Sequence, residues 1–462
     1  MRNGCEDTTP GSLVRTYKEI LQNTVFSVSL RKTWREAFWV FVGQAGTAIG
    51  GLIGVKLLTH VLIPAEYGKL ALANTIVAFI GANLFGPFGQ GLARYWSISK
   101  DRGNLDVFYA VSNRFAKYIS LVALLISGVA VIVTMYILHK FHWAVLVAIS
   151  LIIGIITGFL SLRINIFTAA RQRRRVAILN ISNALLRPLI AAVLVVMTIA
   201  NANMALVGYL IAALLVVLIA ERSYSQNVSE ASLSHLRSNT EKSFSGGLAK
   251  EILSYSWPFL VWGIFGWIHM SCDRWALQAF WGSEVVGAFA VVSSLAIYPL
   301  SFGSGFLTTL LTPIAFQQAG ALTNKDSISS ANRTLIVMTA TYILGAIVLI
   351  GFFSMFHQRL ILLISNIRFT RFSYLLPWLT LAWAFFYFGQ VTASFGFLAN
   401  QPRRYIVPKV ISALVAGSST FYLSNKVGPI GVVWGLGIAG VIYASWCGII
   451  ALRLYSEKEY HR

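Results

Sequence analysis

Residues 176–200 read VAILNISNALLRPLIAAVLVVMTIA, and this stretch decides the class of the molecule. It is long enough to cross a bilayer, whose hydrocarbon core of roughly 30 Å takes about 20 apolar residues in a helix. Its one formal charge is Arg187, backed by Pro188. A guanidinium at bilayer depth costs about 2.5–3.5 kcal/mol on insertion scales, so such a residue faces a bundle interior or a water-filled cavity. The segment therefore predicts a membrane helix that presents a cation to its neighbours.

The same pattern extends along nearly the whole chain. Of 462 residues, 56% are hydrophobic and 11% charged, against about 25% charged in an ordinary soluble domain. Twelve apolar spans are expected, at about 38–58, 70–92, 117–138, 143–162, 176–199, 204–220, 255–278, 285–311, 334–355, 374–397, 405–424 and 429–452. The first 37 residues do not read as a signal peptide: polar and acidic residues are scattered through them, with no short apolar core before a small-residue cleavage site.

Lysine and arginine placement tests this count. With odd-numbered spans running from inside to outside, the inner segments hold 28 of the 37 basic residues. The outer side holds seven, Lys69, Lys140, Arg274, Arg359, Arg368, Arg371 and Lys426, and Lys56 and Arg187 fall within spans. This is the positive-inside asymmetry expected of a protein with both termini in the cytoplasm. The net charge of +21 is then explained by topology and contact with anionic lipid head groups, and no nucleic-acid partner is needed. The run Arg171, Arg173, Arg174 and Arg175 is read in the same way. Cys5, Cys272 and Cys447 match no zinc or redox spacing. The longest outer loop, about 356–373, carries His357, Arg359, Arg368 and Arg371 and has room for a short surface helix.

The spans repeat in parallel. VLIPAEYGKLALANTIV (61–77) lies over AFWGSEVVGAFAVVSSLA (279–296), pairing the acid-then-glycine turn of Glu66 and Gly68 with Glu284 and Gly287. Phe85-Gly86-Pro87-Phe88-Gly89 then falls opposite Phe302-Gly303-Ser304-Gly305, about 217 residues on. The expected organisation is an N-terminal arm (1–37), a six-helix bundle (38–220), a polar cytoplasmic linker (221–254), a second bundle in the same orientation (255–452) and a tail (453–462). Transporters are commonly built from two such halves, with Gly- or Pro-interrupted helices at corresponding places near the transport site; here the second and eighth spans carry those residues. On the first span Gly46, Gly50 and Gly54 form successive small-xxx-small steps that let another helix approach closely.

These residues resemble a known family. The Gly43-Gln44 opening, LLTHVLIPAEYGKLALA (57–73) and FGQGLARY (88–95) look like the polysaccharide transporter family, the lipid-linked oligosaccharide flippases of O-antigen and exopolysaccharide export. Asp273-Arg274-Trp275-Ala276-Leu277 with the following GSEVVGAFAVVSSLA is similar to that family's seventh-helix segment, and Arg171-Gln172-Arg173 and Leu185-Leu186-Arg187 fit its fourth-to-fifth helix region. The resemblance covers roughly 35–452. Lys56 and His60 depart from it. It implies an all-α, twelve-span membrane protein of two parallel six-helix repeats around a central cavity, alternating between inward- and outward-open states. It further implies a lipid-linked oligosaccharide cargo in the inner membrane, with a polysaccharide polymerase and a chain-length regulator as candidate partners.

The residues support the same chemistry. A diphosphate is anionic and strongly hydrated, so its passage needs a polar path with cations to offset lost hydration. Arginine suits phosphate through its planar fork of donors. The candidate cavity cations are Arg187, Lys56, Arg94 and Arg163, with Asp273 and Arg274 as a substrate or gating pair. The competing readings are a structural Arg187 tied to carbonyls freed by Pro188, a snorkelling Lys56, rim positions for Arg94 and Arg163, and mutual neutralisation of Asp273 and Arg274. A multidrug or cation antiporter of the related toxin-extrusion family is the rival function; it calls for intramembrane carboxylates, and only Asp273 and Glu284 lie near a span. A polymerase or glycosyltransferase is disfavoured, because no paired carboxylate motif, metal-ligand cluster or large outer loop is present. Neither catalysis, a cofactor nor a metal is expected.

Overall fold

The computed structural model describes residues 30–137, 139, 141–235, 245–319 and 325–456; Cys5 and most of the N-terminal arm lie outside them. Every regular element among the described residues is helical. In chain order these are α1 (Leu30–Val61), α2 (Pro64–Ile80), a π-helical turn (Gly81–Phe85), α3 (Gly86–Asp101), α4 (Leu105–Ile132) ending in a π turn (Val133–Ile137), α5 (Phe141–Ala169), α6 (Arg173–Met197), α7 (Ala202–His235), α8 (Ser245–Ser256), α9 (Pro258–Ala319), α10 (Lys325–Ile364), a 3-10 segment (Ile367–Leu375), α11 (Leu376–Leu398), a 3-10 turn (Pro402–Tyr405), α12 (Ile406–Val427) and α13 (Pro429–Ser456). Proline sets several starts, where a missing N–H costs nothing. Pro64 opens α2 and holds Ile63 extended, at ψ 158°. Pro258 and Pro429 open α9 and α13.

Eleven helical stretches among the described residues are long and apolar enough to cross a membrane, so the chain is a multi-pass membrane protein. One of them, Gly246–Ala319, runs 74 residues and takes in two of the expected twelve spans. It turns at Gly282, whose φ of +80° lies in the left-handed region, where residues other than glycine are strained. One region gains detail and one expectation needs correction. Within 221–254, α7 runs on to His235 and α8 begins at Ser245. Of the two interrupted spans, only the second shows an interruption, as the Gly81–Phe85 π turn; Pro299 and Pro313 sit inside a continuous helical stretch of α9. The outer loop does carry a short helix, the 3-10 segment.

The glycine stripe of α1 finds its partner in α6. A Cβ on Gly43, Gly46, Gly50 or Gly54 would meet Ala177, Ile181, Ala184 and Pro188 respectively, at 2.7–3.1 Å. The four contacts climb both helices in step, so α6 and its arginine are seated against α1 by bare backbone.

The two halves of the chain meet through a second glycine pair. A Cβ on Gly68 of α2 would overlap the carbonyl oxygen of Ser283, and one on Gly287 of α9 would overlap that of Pro64. The contact is reciprocal, and it joins the two motifs that the sequence repeat aligned. Beside it, Trp267 donates to the carbonyl of Thr75 at 2.7 Å and Trp275 to its hydroxyl at 3.0 Å, while Phe369 of the 3-10 segment packs edge-on against Tyr67. The buried apolar side chains follow this arrangement. One cluster stays within 80–252, whereas the larger runs from Val55–Val77 residues directly into 272–454. The halves are thus fused at the end near Gly68 and Gly287.

Because backbone atoms cannot rotate aside, Gly68→Ala and Gly287→Ala are each expected to lower the melting temperature of the purified protein markedly. A control substitution, Gly345→Ala, has open space and should leave it unchanged. Equal melting of all three would refute the crossing.

Candidate functional site

Away from the glycine crossing the halves enclose a cavity of about 1380 Å³. It is walled chiefly by α1, α2, α3 and α6 from one half and by α9, α11 and α12 from the other, with Thr157 of α5, Tyr209 of α7 and Ser254 and Tyr255 of α8 also on its wall. At the lysine- and arginine-rich end it reaches Ser254, Tyr255, Phe397, Pro402 and Arg403; at the other it stops at Leu58, Tyr67 and Arg274. Among the described residues the lining includes the cations Arg187, Arg274, Arg403 and Lys409 and neither aspartate nor glutamate.

Arg187 stands where the sequence reading puts it, facing the interior. It lines the cavity together with Asn180 and Asn183, three, four and seven positions apart on α6 and hence on one helical face. Its guanidinium lies over the Tyr209 ring, 4.5 Å from the centroid. Its Nε and Nη2 atoms are buried and have no hydrogen-bond partner, and Asn183 Oδ1 is likewise unmatched. Among the described residues neither Nε nor Nη2 reaches a carbonyl freed by Pro188. Buried polar groups are almost always hydrogen-bonded, and unmatched donors in the wall of a cavity mark a place for an acceptor.

Arg274 faces it from the second half. Its Nη1 donates to the Met270 carbonyl at 3.1 Å and lies 3.8 Å from Asp273 Oδ1. Tyr298 is within electrostatic reach of both arginines, and Tyr67 feels Arg274, Tyr209 and Tyr298. One arginine from each half and three tyrosines therefore converge at the closed end of the cavity. Gly51 of α1 leaves the room that the Tyr298 ring occupies.

The other candidates are placed differently. Asp273 is fully buried in the second half and absent from the cavity wall; its Oδ1 accepts the Arg274 backbone N–H at 2.8 Å. The pair splits, with the arginine on the cavity and the acid behind it. Lys56 is a correction: it is exposed on the outer surface of α1, while its neighbours Gly54 and Val55 line the cavity. A rotation of about 100° per residue carries it to the lipid side, where it can snorkel. Arg163 is a second correction. Only 3% exposed, it pairs with Glu221, donates to Asn113 at 2.9 Å and lies 3.6 Å from the Tyr224 ring centroid. It ties α5 to α4 and α7 and is absent from the cavity wall. Arg94 also stays off the wall; it is exposed one turn beyond the lining residue Gln90.

Four groups of cavity-lining residues are not among the sequence candidates: Lys409, Arg403, the Asn180–Asn183 stripe and the tyrosines. The Lys409 signal was present, since it follows Arg187 by 222 residues, close to the repeat interval, but the charge count had assigned it to an inner loop.

These features define a helical membrane protein with a polar, basic cavity between two joined halves, the architecture of a carrier. A family model described as polysaccharide biosynthesis protein matches residues 33–318, and the chain belongs to that family. Its fold is shared with solved transporters: a MATE transporter of Vibrio cholerae (TM-score 0.64, 11% identity, covering 94% of this chain and 98% of that one), a MOP superfamily transporter of Pyrococcus furiosus whose reported binding pocket has reversed polarity (0.61, 14%, 98% and 100%), and an outward-facing multidrug resistance MATE family transporter (0.60, 15%, 98% and 100%). No protein of curated function matches the chain by sequence.

The ion pair and the cavity arginine should separate experimentally. Glu221→Gln leaves the buried Arg163 uncompensated. It is expected to cost about 2 kcal/mol, below the roughly 3–5 of a fully buried pair because the Glu221 side chain is 38% exposed. Arg187→Ala removes no hydrogen bond and should leave the thermal melt close to wild type. A larger loss from Arg187→Ala than from Glu221→Gln would return Arg187 to a structural role.

Proposed function

We propose that this protein is a flippase that carries a polyprenyl-diphosphate-linked oligosaccharide across the cytoplasmic membrane by alternating access, in the assembly of O-antigen, exopolysaccharide or capsule. The observation that carries this reading is the cavity lined by Arg187, Arg274, Arg403 and Lys409 without a carboxylate. Family membership supports the polysaccharide setting.

In this reading the basic end of the bundle and both termini face the cytoplasm, by the positive-inside rule, and the structure is the inward-open state. The head group enters past Arg403 and moves up between the halves. At the closed end the free donors of Arg187 and the guanidinium of Arg274 offer the diphosphate charge-assisted hydrogen bonds in place of its water. Tyr67, Tyr209 and Tyr298 add hydroxyl donors. The cargo undergoes no covalent change; parting of the halves at the Gly68–Gly287 end, with closure at the other, would expose it to the outer leaflet. A polymerase and a chain-length regulator would then act on the product.

A cation or drug antiporter is the alternative. Such a carrier needs an acid in the cavity, and Asp273 is sealed behind Arg274. The Pyrococcus furiosus transporter, whose pocket polarity is reported as reversed, offers a parallel for the same fold serving different cargo.

Arg187→Ala is expected to lower surface glycan by about ten- to a hundred-fold at unchanged protein level in the membrane, the worth of one or two charge-assisted hydrogen bonds. Arg187→Lys should restore part of it, because lysine keeps the charge and loses the fork. Lys56→Ala should display glycan normally. Altered drug susceptibility with intact glycan in Arg187→Ala cells would favour the antiporter. In intact cells an impermeant thiol reagent should leave a single cysteine at position 240 unlabelled; labelling there would overturn the orientation.

A further inference from the structure

Lys409 is the least accounted-for charge in the molecule. It sits one turn into α12, is 3% exposed and lines the cavity. No carboxylate or hydrogen-bond acceptor meets its ammonium among the described residues. Three rings do: Nζ lies 4.2 Å from the Phe386 centroid, 5.2 Å from Tyr443 and 5.5 Å from Trp262. His269 stacks on Phe386 at 4.4 Å and fixes that ring. Ring faces soften the cost of a desolvated cation, yet an unpaired buried charge remains expensive to hold, and an arriving anion would offset that cost.

The position separates this group from the arginines. Lys409 lies between the levels of Trp262 and His269, which precede Arg274 on the same helical arm by twelve and five residues, about 18 and 8 Å of rise. The phosphorus atoms of a diphosphate are joined by a single bridging oxygen. Arg187 and Arg274 therefore address the diphosphate, and Lys409 addresses a part of the cargo further along, where the sugars lie. The wall there suits a sugar: Trp262 opens onto the cavity and offers a flat face for the C–H side of a pyranose ring, beside a cation that a neutral sugar would not require, while Phe386, stacked on His269, supports the ammonium.

We propose that Lys409, Trp262 and Phe386 form a second anion subsite that receives a carboxylate borne on a sugar ring, so that the cargo is an acidic, uronate-type oligosaccharide. This rests on the flippase reading and narrows its substrate class. The carboxylate would accept from Nζ while its ring stacks on Trp262, and the buried lysine would gain a partner that no described residue supplies.

The test uses the full-length protein in lipid nanodiscs and three polyprenyl-diphosphate disaccharides that differ at one carbon: a glucuronate, its methyl ester and the corresponding glucose. Wild type is expected to bind the glucuronate at least tenfold more tightly than the other two. Lys409→Gln should erase that preference, lowering glucuronate binding at least tenfold more than binding of the ester or the glucose compound; Lys409→Arg should keep it; Arg187→Ala should weaken all three alike. The ester comparison needs no variant and so stands even where Lys409→Gln fails to fold. Equal wild-type binding of glucuronate and ester, or a preference that survives Lys409→Gln, overturns the acidic subsite and leaves the flippase reading intact. Failure of wild type to bind any of the three overturns both.

Discussion

The architecture depends on one close approach of backbone to backbone, Gly68 against Gly287. At this crossing neither helix has a side chain to hold the other off, and the carbonyls of Ser283 and Pro64 occupy the space that a Cβ would need. The halves are therefore held most closely near one end of the bundle; elsewhere they still touch where Gly263 approaches the Ala82 carbonyl and where Phe41 packs against Phe302 and Phe306. The cavity is the volume these contacts leave between the halves. Its closed end lies next to the glycine crossing, where Tyr67, one residue from Gly68, packs against Phe369 and reaches into the cavity. In the proposed cycle the glycine contact is the one that parts, and glycines opposed through backbone alone have no interlocked side chains to disengage.

A second glycine device works within one half. The α1 stripe from Gly43 to Gly54 brings α6 so close that its polar edge, Asn180, Asn183 and Arg187, is turned into the cavity with no freedom to roll away. Arg187 then keeps unmatched donors in a place where a phosphate oxygen could reach them. The opposite half builds its cation on a different plan. Arg274 is anchored by the Met270 carbonyl and backed by Asp273, so its electrostatic field is partly offset from behind while its open face points inward.

Much of this was legible in the sequence, and the failures have a common cause. Span positions, the Gly46–Gly54 packing stripe and the pairing of the two acid-glycine turns follow from hydropathy and from residue types that only backbone contact explains. That Lys56 and Arg187 fall inside long apolar helices was readable as well; their azimuth around the helix was not. Lys56 and Arg187 look alike as lone cations in apolar runs, yet one faces outward and the other inward, and only the partner helices decide which. Arg163 was misjudged because its counter-ion, Glu221, lies 58 residues away on a helix that the polar composition had marked as linker. Lys409 was hidden because a topology count treats any basic residue near a helix end as a loop charge, whereas α12 begins at Ile406 and carries it into the bundle.

The lack of any acid in the cavity wall also has a consequence for voltage. In the proposed orientation an empty carrier holds an uncompensated positive charge in its cavity, and a bound diphosphate largely cancels it. The loaded transition would then move little net charge through the membrane field. The empty return, from outward- to inward-open, would carry positive charge toward the negative cytoplasm, favoured by about 2.3 kcal/mol per elementary charge per 100 mV. Membrane potential would thus act on the reset of the carrier instead of on its cargo-bearing stroke, giving direction to transport without a co-transported ion.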